Sequence, residues 1–478
     1  MIRCRGSSKS LLQLGGIVVC LALGSLSGGC VDEKVVFRDR DPLEGVPAEA
    51  GGFLGYQAGK EADKTTICGN CHTEVQADWK QTKHAVAMQD LKANPGASAV
   101  CEGCHSINER GNAVATGQKV GHDQLAVARF EDVQCESCHG PGTDHVQAPN
   151  RTNIPTPTAL TALDKGCGEC HNGTHHPFVE EWAQSAHGAV PDLDHTKDNA
   201  SCQPCHTGQG ALIAFGVNKG RFLEEGKFDM PITCIVCHDP HSAKNEGQLR
   251  FAIDDPSVEG NLCMKCHHKR GQPDLTSQSR GAHSPEGPLV TGEAGWIPPG
   301  MTTDKITGTH SSEKNPRLCA GCHVTTLAVT DSKGVLIQNA TGHLFNAIPC
   351  LDAKGVPTVG ECEMTQRSFK ACTASGCHGS EAAARSALLV ADTRIQTLAA
   401  QLRVLLAKVP KTEFAQDAKY TVGEGATFNA SFADKPGSAA HNPFLVEALL
   451  TASIKAVQDQ YKVQAAPGLN LNNVLQAH

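Results

Sequence analysis

Apolar residues gather in three places along the chain and are scattered elsewhere. The first place is residues 11–26, a run broken by glycines. The second is a stripe of Leu388, Ile395, Leu398, Leu402, Leu405 and Val409, whose steps of three, four and seven predict one apolar helix face. Pro410 ends that helix. The third is a helix expected from Asn442 and Pro443 onward, with Leu450, Ile454, Val457 and Tyr461 on one stripe. The stretch 411–439 between the two stripes is polar and contains glycine, so residues 381–478 are expected to form a helical hairpin. A coiled coil offered to a partner is the alternative. Segments such as 141–160 and 281–304 are instead rich in Pro, Gly and Thr, the chemistry of turns. The expected fold class is mainly α with extensive coil.

Composition explains why so little of the chain is patterned. Hydrophobic residues make up 40% of 478, aromatic residues only 4%, while Cys and His each number 23. Ordinary domains use roughly 45–50% apolar residues. The chain is lean in core material and rich in ligands, so prosthetic groups are expected to fill its interior. A net charge of −8 removes the electrostatic basis for nucleic-acid binding.

The first run reads as an export signal. Arg3, Arg5 and Lys9 precede it, and Ser27-Gly28-Gly29 lead to Cys30, an arrangement resembling the lipobox of bacterial lipoproteins. Ordinary signal-peptidase cleavage is the alternative, while a membrane span is disfavoured because the run is short and interrupted. Residues 1–29 are therefore expected to leave, with a lipid on Cys30 and a flexible linker over 30–64. The remaining chain has 39 basic and 50 acidic residues, a net charge of −11.

The cysteines carry the chemistry. Eight Cys-x-x-Cys-His units occur. Their thiol pairs are Cys68 and Cys71, Cys101 and Cys104, Cys135 and Cys138, Cys167 and Cys170, Cys202 and Cys205, Cys234 and Cys237, Cys263 and Cys266, and Cys319 and Cys322. The histidines that follow are His72, His105, His139, His171, His206, His238, His267 and His323. Each unit is the attachment signature of haem c: two thiols add to the porphyrin vinyl groups and the adjacent histidine ligates iron. Zinc ribbons use paired CxxC without a histidine at the next position each time. Iron–sulfur clusters need four cysteines, and thioredoxin-like motifs occur once per domain. A ninth site is expected at Cys372, Cys377 and His378, where four residues separate the cysteines. Cys350 and Cys362 then remain and are expected to pair, since disulfides persist in exported proteins. Attachment of the ninth haem through Cys362 and Cys377 is the rival arrangement.

Successive motif histidines are separated by 33, 34, 32, 35, 32, 29, 56 and 55 residues. Residues 65–250 thus form an array of six haem sites and 251–380 a region of three. A period near 34 also suggests helical repeats, but no amphipathic helix pairs recur between the motifs. Fourteen histidines lie outside the nine sites, and nine would complete bis-histidine ligation. The candidates are His84, His122, His145, His187, His241, His283, His310, His343 and His441, each in a setting of small or turn-forming residues. His84 and His187 sit in matching Trp-x4-His segments, after Trp79 and Trp182. With six methionines in all, His/Met ligation should be rare.

The segments 135–142, 234–241, 281–288 and 441–450 resemble multihaem c-type cytochromes of metal-respiring and nitrogen-cycling bacteria. That resemblance runs from about residue 65 to 460. It implies an array of stacked covalent haems and electron transfer outside the cytoplasm. It also implies exchange with other cytochromes or quinol-linked donors, and a metal or mineral acceptor in anaerobic respiration. The expected location is the outer membrane or cell surface, otherwise the periplasm. The alternative is a reductase or oxidase of nitrite, hydroxylamine or a sulfur oxyanion with one open haem. Against it, no motif is CxxCK, and only Tyr56, Tyr420 and Tyr461 could cross-link a haem. An electron carrier is favoured over an enzyme.

Overall fold

Ser380 starts the longest helix among the described residues by accepting a hydrogen bond from Ala383 N with its hydroxyl, at 3.1 Å. In the computed structural model, residues 46–47 and 50–464 are described, except 113, 115–116, 155–165, 189–192, 218–222, 224–225, 275–280, 303–304, 312, 375, 416 and 418. They belong to one unit, Leu43–His478. The export signal, Cys30 and the residues beyond 464 lie outside the described residues.

The main helices are short until the C-terminal end. In chain order they are α1 (Thr73–Trp79), α2 (Phe178–Gln184), α3 (Gly208–Ala214), α4 (Glu286–Thr291), α5 (Leu318–His323), α6 (Glu381–Leu406), α7 (Val422–Ala430) and α8 (Pro443–Tyr461). Among the described residues, sheet is confined to two small antiparallel pairs. In one, β1 (Leu327–Thr330) pairs with β2 (Leu336–Ala340), placing Leu327 opposite Ala340. In the other, β3 (Cys350–Leu351) pairs with β4 (Pro357–Thr358). The Cys350–Cys362 disulfide closes over this second pair and takes Cys362 away from the ninth haem motif.

The largest apolar cluster joins α6, α7 and α8. Ile395, Leu398, Leu402 and Leu405 of α6 meet Leu445, Val446, Leu449, Leu450, Ile454 and Val457 of α8. Fully burying each such side chain contributes roughly 1.5–3 kcal/mol. The stretch 411–439, expected as a polar connection, supplies α7 as a third buried element. Its Thr421 and Glu424 form a reciprocal capping box, and Ala426 and Phe428 enter the cluster. Glycines at 423 and 425 disguised it as loop: a Cβ at Gly425 would stand 2.1 Å from the Trp296 ring, so the helix needs that glycine to pack.

The linker expectation also needs correction. From Ala50 the chain is packed: Leu54 is buried, Phe53 lies against Ile107 and Phe130, and Tyr56 against Trp79. Tyr56 Oη donates to Asp132 at 2.8 Å, and Tyr56 N donates to the Arg129 carbonyl at 2.9 Å. Three apolar residues in a Gly- and charge-rich stretch are too few to show periodicity. Their burial depends on partners supplied from residues 79–136.

Candidate haem sites

Each Cys-x-x-Cys-His unit folds as about one helical turn, because the second cysteine and the histidine must follow the first closely to address one porphyrin. Residues such as Cys135–His139 and Leu318–His323 are helical, and the motif histidine sits at or just after the end. Several motif rings are oriented through Nδ1. His105 Nδ1 lies 2.8 Å from the Ala87 carbonyl, His238 Nδ1 2.7 Å from Gly247 O, and His323 Nδ1 2.9 Å from Phe345 O. A carbonyl there holds the proton on Nδ1 and leaves Nε2 for a metal.

Eight of the nine motif histidines face a histidine from a distant segment. Two rings that share one iron, each nitrogen about 2.0 Å away, have centroids roughly 6.3 Å apart. The observed separations are 6.3 Å for His72 and His145, 6.2 Å for His171 and His84, and 6.1 Å for His139 and His241. They are 6.0 Å for His206 and His283, 6.5 Å for His238 and His343, and 6.2 Å for His267 and His187. The last two pairs are His323 with His441 at 6.2 Å and His378 with His310 at 6.3 Å. Residues of six motifs, from Cys167 to His378, line one connected cavity of about 2830 Å³. Close-packed interiors hold few voids larger than a water molecule, so ring spacing and cavity both fit covalent haem.

His122 does not join this set. It is buried, its N–H donates to the Ile107 carbonyl at 2.8 Å, and its Nδ1 lies 3.8 Å from the Glu102 carboxylate inside the Cys101–His105 motif. Among the described residues, no ring faces His105 at the separation seen in the other pairs. Sequence setting alone could not separate His122 from the eight that pair.

Electrostatics suit the paired rings for ligation. Burial lowers His171, His187, His343 and His441 to about 4, with neighbouring imidazoles adding to the effect. These rings are neutral near pH 7 and keep a lone pair for iron. His267 departs from the pattern. Its imidazole is raised chiefly by the Glu286 carboxylate, whose Oε2 is 3.5 Å from Nδ1. Burial works to raise Glu286, but His267 and the start of α4 outweigh it and hold the carboxyl below its usual range.

Several residues that position the paired histidines carried no motif signal. Buried Glu181 on α2 accepts from Thr341 N, Thr341 Oγ1 and His343 N, each at 2.8 Å, and so fixes the turn that presents His343. Phe178 and Phe345 stand between ligand rings: His171 to Phe178 is 5.5 Å, Phe178 to His343 4.8 Å, and Phe345 to His187 4.6 Å. Asn442 caps α8 by accepting from Leu445 N and donates to the Leu289 and Ile306 carbonyls, anchoring the neighbouring His441. The matching Trp segments also perform one task. Trp79 Nε1 donates to Val133 O at 3.1 Å and Trp182 Nε1 to Ile232 O at 2.8 Å, in both cases two residues before a Cys-x-x-Cys-His unit.

Thiols of different motifs are neighbours. Cys68 approaches Cys135, Cys104 approaches Cys170, Cys167 approaches Cys234, Cys205 approaches Cys266, and Cys263 approaches Cys319. Cys138 lies near Cys167, Cys237 near Cys263, and Cys322 near Cys372. One side chain–backbone contact agrees: Cys266 Sγ is 3.9 Å from Pro204 O, inside the Cys202–His206 motif; another, Ser137 Oγ 3.4 Å from Ser106 O, also brings the His139 and His105 sites together.

Comparison with known proteins places this arrangement. Residues 67–140 match the family described as cytochrome c554 and c-prime, and residues 227–272 the doubled CXXCH motif. The multiheme cytochrome MtrA of Shewanella baltica is 27% identical over 198 residues, 38% of this chain and 56% of that protein. Cytochrome c-554 of Nitrosomonas europaea is 30% identical over 135 residues, 22% of this chain and 54% of that protein. The chain spans about half the length of these two relatives. The outer cell wall cytochrome OcwA shares the fold, with a TM-score of 0.53 at 17% identity over 85% of this chain and all of that one.

Proposed function

The chain belongs to the multihaem c-type cytochrome superfamily, and from that premise we propose that it is an exported electron carrier holding nine haems. Eight are bound at CxxCH and one at Cys372, Cys377 and His378. Bound haem iron supplies reversible one-electron chemistry; the chain sets its ligands, spacing and exposure. One observation carries the reading: eight motif histidines each stand opposite a second histidine at iron-bridging separation. Two histidines per iron leave no position for a substrate, which suits transfer between redox partners.

The thiol contacts support an order in space. A trunk runs through the sites of His72, His139, His171, His238, His267, His323 and His378, and the sites of His105 and His206 branch from it. Donors are other cytochromes or quinol-linked proteins, and the acceptor is a cytochrome, a metal or a mineral surface. A lipid on Cys30 would hold the protein at the outer membrane or cell surface, with a periplasmic location if ordinary cleavage occurs. Electron paramagnetic resonance of the oxidised, haem-loaded protein tests the reading: eight low-spin bis-histidine haems are expected, and a majority of high-spin haems would overturn it.

A second reading concerns one haem only. His105 interacts with His176 and has no ring at the 6.0–6.5 Å separation of the other pairs among the described residues, so the site of Cys101, Cys104 and His105 is where reductase or oxidase chemistry on nitrite or hydroxylamine would be sought. The reduced protein should then bind one carbon monoxide per chain, and a C101A/C104A chain none. Absence of carbon monoxide uptake would remove this reading and leave the carrier intact.

A further inference from the structure

The segment 281–288 serves two sites at once. Its His283 faces His206, with ring centroids 6.0 Å apart. Three residues later, Glu286 opens α4 beside a different ligand, His267. The approach is built into the backbone. Gly287 N donates to the His267 carbonyl at 2.8 Å, and a Cβ at Gly287 would stand 2.9 Å from that oxygen. Glycine therefore lets α4 begin directly on the motif, and the preceding residue reaches the ring.

Glu286 Oε2 is buried, lies 3.5 Å from His267 Nδ1, and has no other polar partner. Ligation through Nε2 places the remaining imidazole proton on Nδ1, the nitrogen that faces this oxygen. His105, His238 and His323 instead present Nδ1 to backbone carbonyls. A carboxylate is a stronger acceptor than a carbonyl, since charge-assisted hydrogen bonds are roughly twice as strong as neutral ones. It draws the proton away from the ring and raises the basicity of the ligating nitrogen. An electron-rich ligand and a fixed negative charge both favour ferric over ferrous iron.

We propose that Glu286 is a positioning residue that lowers the reduction potential of the haem held by Cys263, Cys266 and His267. The inference rests on the bis-histidine carrier reading. The site matters because motif contacts converge there: Cys263 touches Cys319, Cys266 touches Cys205 and Pro204, and Cys237 is close by. A lowered potential at such a junction would hold the electron population on the adjoining haems and make this haem a step between the two ends of the trunk.

The test is a redox titration of fully haem-loaded protein, followed by visible and paramagnetic resonance spectra. In Glu286→Gln one low-spin component should move to higher potential with altered g-values, while the other components stay in place. Glu293→Gln removes a charge nearby, from an exposed carboxylate paired with Lys305 at 2.7 Å, and should move nothing. Glu286→Asp keeps the charge at shorter reach and should move the same component upward by less; it decides the matter if the glutamine variant does not load nine haems. No moving component in either Glu286 variant, or an equal shift in Glu293→Gln, overturns the tuning role. If the unmodified protein lacks the low-spin haem of His267, the carrier reading falls there and this inference with it. If that haem is low-spin but unmoved, only this inference falls.

Discussion

Phe178 stands edge-on to His343, with ring centroids 4.8 Å apart and planes at 79°. The same phenylalanine meets His171 at 5.5 Å, so one half-buried ring contacts two of the paired histidines. Phe345 repeats the arrangement between His343, at 5.4 Å, and His187, at 4.6 Å. In a chain with 14 Phe, spending two on these contacts places scarce core material where ligand orientation is decided. Phe178→Leu should keep every haem and cost about 1 kcal/mol, the usual value of an edge-to-face pair. Its signature should be changed g-values for the two haems ligated by His171 and His343. Unchanged resonance spectra would show that Phe178 only fills space.

Haem counting tests the ninth site. Pyridine haemochrome against protein mass should give nine haems in the unmodified chain and eight in Cys372→Ala. Cys362→Ala should still give nine, because Cys362 is bonded to Cys350. Eight haems in the Cys362 variant would restore the long-insert arrangement.

Breaking that disulfide should affect stability and not cofactor content. Closing a loop of 12 residues is worth about 3 kcal/mol through the denatured chain. A Cys350→Ala/Cys362→Ala protein should therefore melt earlier by calorimetry at an unchanged nine haems.

Glu136 should give the protein a measurable pH dependence. It accepts from Gly55 N and Gly142 N, each at 2.7 Å, and from Leu54 N at 2.9 Å, yet burial outweighs these donors and pushes its carboxyl up to about 7. The folded state then holds a proton that the unfolded chain releases near the ordinary carboxylate value. This contribution to stability is complete below that value and is lost as pH rises through about 7. It amounts to on the order of 3 kcal/mol. Denaturant midpoints should fall over this window in the unmodified protein, and Glu136→Gln should flatten the fall. An equal slope in both would assign the dependence to another group.

Fractionation tests the anchor. A Cys30→Ala chain should leave the membrane fraction after a salt wash, and mass spectrometry of the unmodified protein should find the lipid on Cys30. A variant that stays membrane-bound would sink the proposal.

Motif geometry was legible in the sequence because it is local. Five consecutive residues such as Cys234–His238 supply both thiols and the first ligand, and one helical turn brings them together. The stripes of α6 and α8 were legible for the same reason, since a helix converts spacing into a face. Pairing was not legible. His84 meets His171, His187 meets His267, and His323 meets His441, although spacing along the chain says nothing of which distant ring will arrive. The same limit hid the exclusion of His122, the packing of Phe53 and Tyr56, and the placement of Glu286 beside His267. What the chain determined alone was the local turn of each motif and the amphipathic faces near its end. Which second ligand, carboxylate or aromatic ring meets each site was decided by tertiary structure, because those contacts join segments whose separation only the folded chain closes.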